Sequence, residues 1–331
     1  MKTKVDGFVI AILVAILIAY LYPSLGSKQS DFPLDLIGTI GISLIFFFYG
    51  LKLSPEKIKS GLKNWRLHLL VQLTTFLIFP LIIIACKPLL NTEDSQTLWL
   101  SFLFLAALPS TVSSSVVMVS IAKGNIPAAI FNASISGLIG IIITPLWIGM
   151  FLNQTATDYN LKSIYISLIS QILLPVILGL LLQKYWGKFA IQYKNQLTLF
   201  DKSIILLIIY KSFAESFEED IFSSVSLTDL LILSTVVIIL FYLVFFTTGF
   251  ISKKLDFNTE DRITAQFCGT KKSLVHGTVF AEILFPSTMS IGLILLPLMI
   301  FHAAQIFIVS IIATRLAKRE SVAEESVQIA E

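Results

Sequence analysis

The chain has 331 residues, 56% of them hydrophobic and only 14% charged, with a formal net charge of +3 and a mean hydropathy of +0.86. Soluble domains carry about 25% charged residues, so this composition excludes one, and the small positive balance says nothing for nucleic acid. Apolar runs of about 20 residues recur from end to end, which excludes a β-barrel with its alternating strands of about 10 residues; the fold class is an all-α polytopic membrane protein seated in a lipid bilayer.

Ten transmembrane helices are predicted, at about 7–24, 36–53, 67–85, 98–121, 126–150, 161–184, 199–217, 227–252, 262–284 and 289–316. The first reads as a retained span, because Tyr22-Pro23 follows it where a small-residue cleavage site would stand. The seventh is the least apolar: its core runs only from Ser203 to Tyr210, and Lys211, Glu215, Glu218 and Glu219 crowd its end. Sorting the Lys and Arg residues between the spans puts 18 on the side of the termini and four (Lys28, Lys87, Lys162 and Lys211) on the other. By the positive-inside rule both termini are cytoplasmic and the protein belongs in the cytoplasmic membrane. Residues 1–150 and 161–316 each hold five spans, with 317–331 left as a cytoplasmic tail. Five is odd, so the second repeat is inverted relative to the first, an arrangement of many secondary transporters.

The fourth span of each half is irregular. In the first, Pro109 removes a backbone donor and the run Ser110-Thr111-Val112-Ser113-Ser114-Ser115 follows in mid-span. In the second, Gly269-Thr270-Lys271-Lys272-Ser273 places two cations in a membrane segment, where each costs roughly 2.5–3.5 kcal/mol unless it finds water, a partner or a ligand. Two interrupted helices at corresponding positions point to a transport site. The candidate substrate- and ion-binding residues are Ser113, Ser114 and Ser115, Thr270, Lys271, Lys272 and Ser273, His276 one turn beyond Lys272, Gln72 on the third span, and Asn132 with Ser136 four apart on one face of the fifth. Neighbours on a helix diverge by about 100°, so one lysine faces the site, more plausibly Lys271, and the other supports it.

Each of these has a plainer reading. Small hydroxyl residues also make packing seams, Asn132 with Ser136 also makes an interhelical hydrogen bond, and single polar residues such as Gln72, His302 and Gln305 usually serve that purpose. An ion pair for the lysines would need a carboxylate, and Glu282, the acidic residue well inside the ninth span, lies about three turns away. Cys86 and Cys268 fall on different helices near opposite faces, which argues against a disulfide. No nucleophile elbow, zinc-protease motif, phosphate-binding loop or metal-ligand spacing is present, so the chain is not read as an enzyme and no cofactor is expected beyond a coupling ion.

The Pro109 to Val116 run, followed by Ala122-Lys123-Gly124-Asn125 and Thr144-Pro145, resembles the fourth and fifth spans of the bile acid:sodium symporter family. Gly269 to Leu274 is similar to the ninth-span crossover of its divergent SBF-like branch. The resemblance implies helices 1, 2, 6 and 7 in a panel domain and helices 3–5 with 8–10 in a core domain, where the broken helices 4 and 9 cross. It implies a sodium-coupled symporter of small organic anions, bile-acid-like or carboxylate or sulfate compounds, with Ser114, Ser115, Asn132 and Gln72 as sodium ligands. This chain departs from the better-known members in the ninth span, with Phe267 where they carry a sodium-binding glutamate and Lys271 where they carry a glutamine; an ammonium there repels sodium and substitutes for it as a built-in cation. A rival reading within the same branch keeps the fold without transport, as a regulator of calcium handling. Oligomeric state is open.

Overall fold

The computed structural model describes residues 7–26, 30, 32–53, 64–87, 93–111, 113–152, 166–218, 220, 226–286 and 288–317. The extreme termini, the basic loop 54–63, the connection 153–160 and the tail beyond Ala317 lie outside them. The described residues form twelve α-helices: α1 (Gly7–Leu21), α2 (Leu34–Lys52), α3 (Trp65–Cys86), α4 (Glu93–Ala107), α5 (Ser113–Ile121), α6 (Ile126–Leu152), α7 (Ile166–Gln192), α8 (Lys194–Glu218), α9 (Leu227–Lys254), α10 (Thr259–Thr270), α11 (Leu274–Leu284) and α12 (Ile291–Ala317). Six of them, α2, α3, α6, α7, α9 and α12, are long and apolar enough to cross a membrane unaided, which makes this an integral membrane protein. The other predicted spans fall on α1, which has 15 residues, on the charge-bearing α8, and on two pairs of short helices, α4 with α5 and α10 with α11. Both breaks occur at the expected stretches.

Two groups of helices emerge from the packing. In one, α2 lies along α7 and against α8, and α1 lies on α8; in the other, α9 packs on α10 and α12, α4 on α3, α6 and α12, α5 on α6, and α11 on α12. The α2–α7 contact is backbone to backbone. A Cβ at Gly50 would collide with the Val176 carbonyl and one at Gly179 with the Phe47 carbonyl, so only hydrogen fits at either place. Between the groups, close helix contact runs through α8 on α11 and α12.

Inside α3, residues Thr74–Ile78 form a π turn just before Pro80. The Phe79 N–H bonds back to the Thr74 carbonyl instead of the Thr75 carbonyl, and Pro80 has no N–H to give Phe76. Two carbonyls are thereby released from the helix ladder. The Trp147 indole N–H takes up the Phe76 oxygen at 2.8 Å; the Thr75 oxygen goes to the site described next.

Candidate functional site

The two breaks cross each other. Pro109 ends α4, and residues 108–111 run without helical structure before α5 begins. On the other strand, Lys271 (φ −77°, ψ 145°) and Ser273 (φ −86°, ψ 113°) are extended. The Ser273 N–H donates to the Pro109 carbonyl at 2.9 Å and the Ser110 hydroxyl to the Cys268 carbonyl at 2.7 Å, so each break supplies what the other's helix end lacks. Backbone groups left over are met by side chains from flanking helices. Ser136 on α6 accepts from the Ser110 N–H (2.9 Å) and Thr144 donates to the Ala107 carbonyl (2.8 Å). Gln305 on α12 clamps Lys272 through both its N–H (2.9 Å) and its carbonyl (2.8 Å), and its amide also meets His302 Nδ1 at 3.1 Å.

Both lysines are fully buried at this crossing, and they point different ways. Lys272 Nζ donates to the freed Thr75 carbonyl (2.8 Å), to Leu108 (2.9 Å) and to Ala106, and sits 4.3 Å from the centroid of the Phe79 ring. An ammonium has three protons, and here each has a carbonyl, two of them at the negative end of the α4 dipole. Lys272 therefore staples α10–α11 to α3 and α4. Lys271 turns to α5, donating to the Ser114 carbonyl at 2.8 Å and its hydroxyl at 3.2 Å. Thr111 holds the hydroxyls of Ser114 (2.8 Å) and Ser115 (2.9 Å). Among the described residues, Lys271 thus spends its side-chain hydrogen bonds on Ser114.

The remaining predicted residues surround the crossing in smaller sets. Asn132 and Ser136 are both buried on α6 as the spacing required, but they serve different partners: Asn132 Oδ1 accepts from Gln72 Nε2 at 3.1 Å, while Ser136 caps Ser110. Gln72 Oε1 has no hydrogen-bond partner among the described residues. The four expected sodium ligands thus stand as two pairs, Gln72 with Asn132 and Ser114 with Ser115 (both held by Thr111), and Lys271 is bonded to Ser114 of the second pair. Thr270 bonds within its own helix, to the Gln266 carbonyl at 2.6 Å. Ser273 caps α11 and meets His276 Nδ1 at 2.9 Å, leaving His276 Nε2, buried, without a partner among the described residues. The His276 ring lies edge-on to Phe46 and Tyr49 of α2, at 5.6 and 6.0 Å. Ser113 opens α5; its side chain lies outside the described residues.

Sequence reasoning missed two features. One is the Thr75 carbonyl, for which the only trace is a Thr-Thr pair ahead of Pro80. The other is Asp261, 8% exposed, whose carboxylate accepts from Asn64 Nδ2 (2.6 Å) and Asn125 Nδ2 (2.8 Å). It ties the starts of α3 and α10 to the α5–α6 turn. Asn125-Asp261 is 136 positions apart, which no local pattern signals.

The sequence model of the SBF-like CPA transporter family matches residues 6–318. Similarity over nearly the whole length extends to protein PA2026 of Pseudomonas aeruginosa, 37% identical over 95% of this chain and 93% of that one. Sodium/bile acid cotransporter 7 of Danio rerio is 32% identical over 94% of this chain and 93% of its own, and sodium/bile acid cotransporter 7-B of Xenopus laevis 30% identical over 94% and 91%.

Proposed function

The chain belongs to the SBF-like CPA transporter family, within the bile acid:sodium symporters, and from that premise we propose that it is a secondary active transporter of a small organic anion, with Lys271 as the anion's partner. In this reading ten spans form two inverted repeats, 1–150 and 161–316. Helices α1, α2, α7 and α8 make the panel, the other eight the core, and both termini face the cytoplasm. The charge count of 18 against four supports the orientation.

One observation carries the assignment: of two fully buried lysines, Lys272 has a carbonyl for every proton, whereas among the described residues Lys271 is held by the carbonyl and hydroxyl of Ser114. An ammonium so placed has a proton to give to an oxyanion, beside the hydroxyls of Thr111, Ser114 and Ser115. Sodium coupling fits these residues poorly. Three carbonyl oxygens that would suit a monovalent cation already hold the Lys272 ammonium, and a second unit charge about 4 Å away meets roughly 4 kcal/mol of repulsion at an effective dielectric of 20. Coupling in this chain accordingly depends little on sodium.

Purified protein in sealed proteoliposomes tests the reading. Uptake of carboxylate, sulfate or bile-acid anions under an imposed ion gradient, weakened by Lys271→Gln, is the expected result; a folded wild-type protein that moves none of these anions would refute it.

A further inference from the structure

Glu282, on the last turns of α11, does not serve the lysines of its own span. It meets Lys211 of α8 at 3.5 Å and accepts from the Ser212 hydroxyl at 3.2 Å. Lys211 also holds Asp35 at the start of α2 and lies 3.8 Å from Glu215, one turn along α8. Four residues further on, the Ser216 hydroxyl bonds that of Ser290 at 2.8 Å, and Gly292 lets α8 come close, since a Cβ there would stand 2.5 Å from Ser216 Oγ. Asp35, Lys211 and Glu215 are on helices of one group; Glu282 and Gly292 are on helices of the other, with Ser290 just ahead of α12.

Directly beside this cluster lies a cleft of roughly 70 Å³, lined by Asp35, Gly38, Ile42, Ile208, Lys211 and Glu282 among others. Asp35, Gly38, Ile42, Phe46 and Tyr49 recur every three or four residues and so share one face of α2. Following that face inward, Ile42 is 3% and Phe46 1% exposed, and Phe46 ends against the His276 ring. The cleft lies between α2 and α8 with Glu282 of α11 at its edge, and the seam along which this face of α2 meets α11 runs inward from it to His276, shut by Ile42 and Phe46.

We propose that the Lys211–Glu282 pair, with the Ser212–Glu282 hydrogen bond, is a breakable latch that holds the two groups of helices together on the side opposite the termini and so keeps this seam closed. The asymmetry of the cluster suits a latch. When Glu282 leaves, Lys211 keeps Asp35 and Glu215 and is not stranded, while Glu282 moves toward water. Opening therefore costs one ion pair and one or two hydrogen bonds rather than a buried unpaired charge. The proposal rests on the panel-and-core reading and on the orientation given above.

Ile42→Cys, in a Cys86→Ser background because Cys86 is exposed and Cys268 buried, reports the opening of the seam to a membrane-impermeant maleimide applied to intact cells. Adding Glu282→Gln is expected to raise the labelling rate roughly two- to five-fold, the size of a partly exposed ion pair, and Ser212→Ala to move it the same way. Asp35→Asn and Glu215→Gln, which leave the cross-group pair in place, are expected to change it little. Unchanged labelling in both Glu282→Gln and Ser212→Ala, or an equal rise in Asp35→Asn, would overturn the latch. No substrate takes part, so a negative uptake assay bears on the transport reading alone.

Discussion

Replacing Lys272 by methionine removes the charge with the loss of one atom of length, which strands three carbonyl oxygens, of Thr75, Ala106 and Leu108, beside the Phe79 ring. Three charge-assisted hydrogen bonds are worth about 1.5–3 kcal/mol each, and the variant recovers part of that because no ammonium has to be desolvated, so a net loss of about 3 kcal/mol is expected. At 2–3 °C per kcal/mol for a chain of this size, melting in detergent should fall by about 6–9 °C. Lys271→Met, which strands only groups of Ser114, should lose less than about 1 kcal/mol. Differential scanning fluorimetry of the two variants side by side gives the answer. A Lys272→Met protein that melts within 1 °C of wild type, or a larger drop in Lys271→Met, would refute the division of labour between the lysines.

Lys272→Ala vacates the carbonyl cage, and sodium is expected to raise its melting temperature relative to N-methylglucamine at equal ionic strength, an effect absent in wild type. Lys271→Gln should lower anion affinity about tenfold or more in a binding titration while leaving the melting temperature nearly unchanged. Asp261→Ala, which removes the acceptor of two half-buried amides, should cost about 1–2 kcal/mol by thermal or denaturant melting. Gly179→Val drives methyl groups into the α2 backbone and should abolish stable expression, read as loss of the monodisperse peak on size exclusion.

The membrane class and both helix breaks were legible because each rests on local chemistry: long apolar runs, a proline followed by hydroxyls, two lysines after a glycine. The family motifs singled out Ser114 and Lys271, which the structure brings into hydrogen-bond contact. What stayed hidden were partnerships made across the fold. Asn132 and Ser136 share a helix face as their spacing says, yet spacing does not tell that one answers Gln72 and the other Ser110. Nothing along its own span tells that Glu282 meets Lys211, on another helix 71 positions back. Lys272 is the clearest case: a lysine beside its neighbour on one strand gives no hint of which way each side chain turns, and the answer depends on carbonyls that a helix normally keeps for itself.

The π turn of α3 puts one extra residue into what would otherwise be an uninterrupted helix. A deletion of the Thr74 codon would let the helix close regularly, return the Thr75 carbonyl to Phe79 and turn the helix on one side of it by about 100° about the axis relative to the other. The Lys272 ammonium would lose one of its three acceptors, and Phe79 would swing away from it. The converse also holds: in an ancestor with a regular third helix, one inserted codon would create a carbonyl facing the crossing before any lysine was there to use it. A one-codon change at Thr74, rather than a substitution at the crossing itself, would thus be enough to give or take away an acceptor of the Lys272 ammonium.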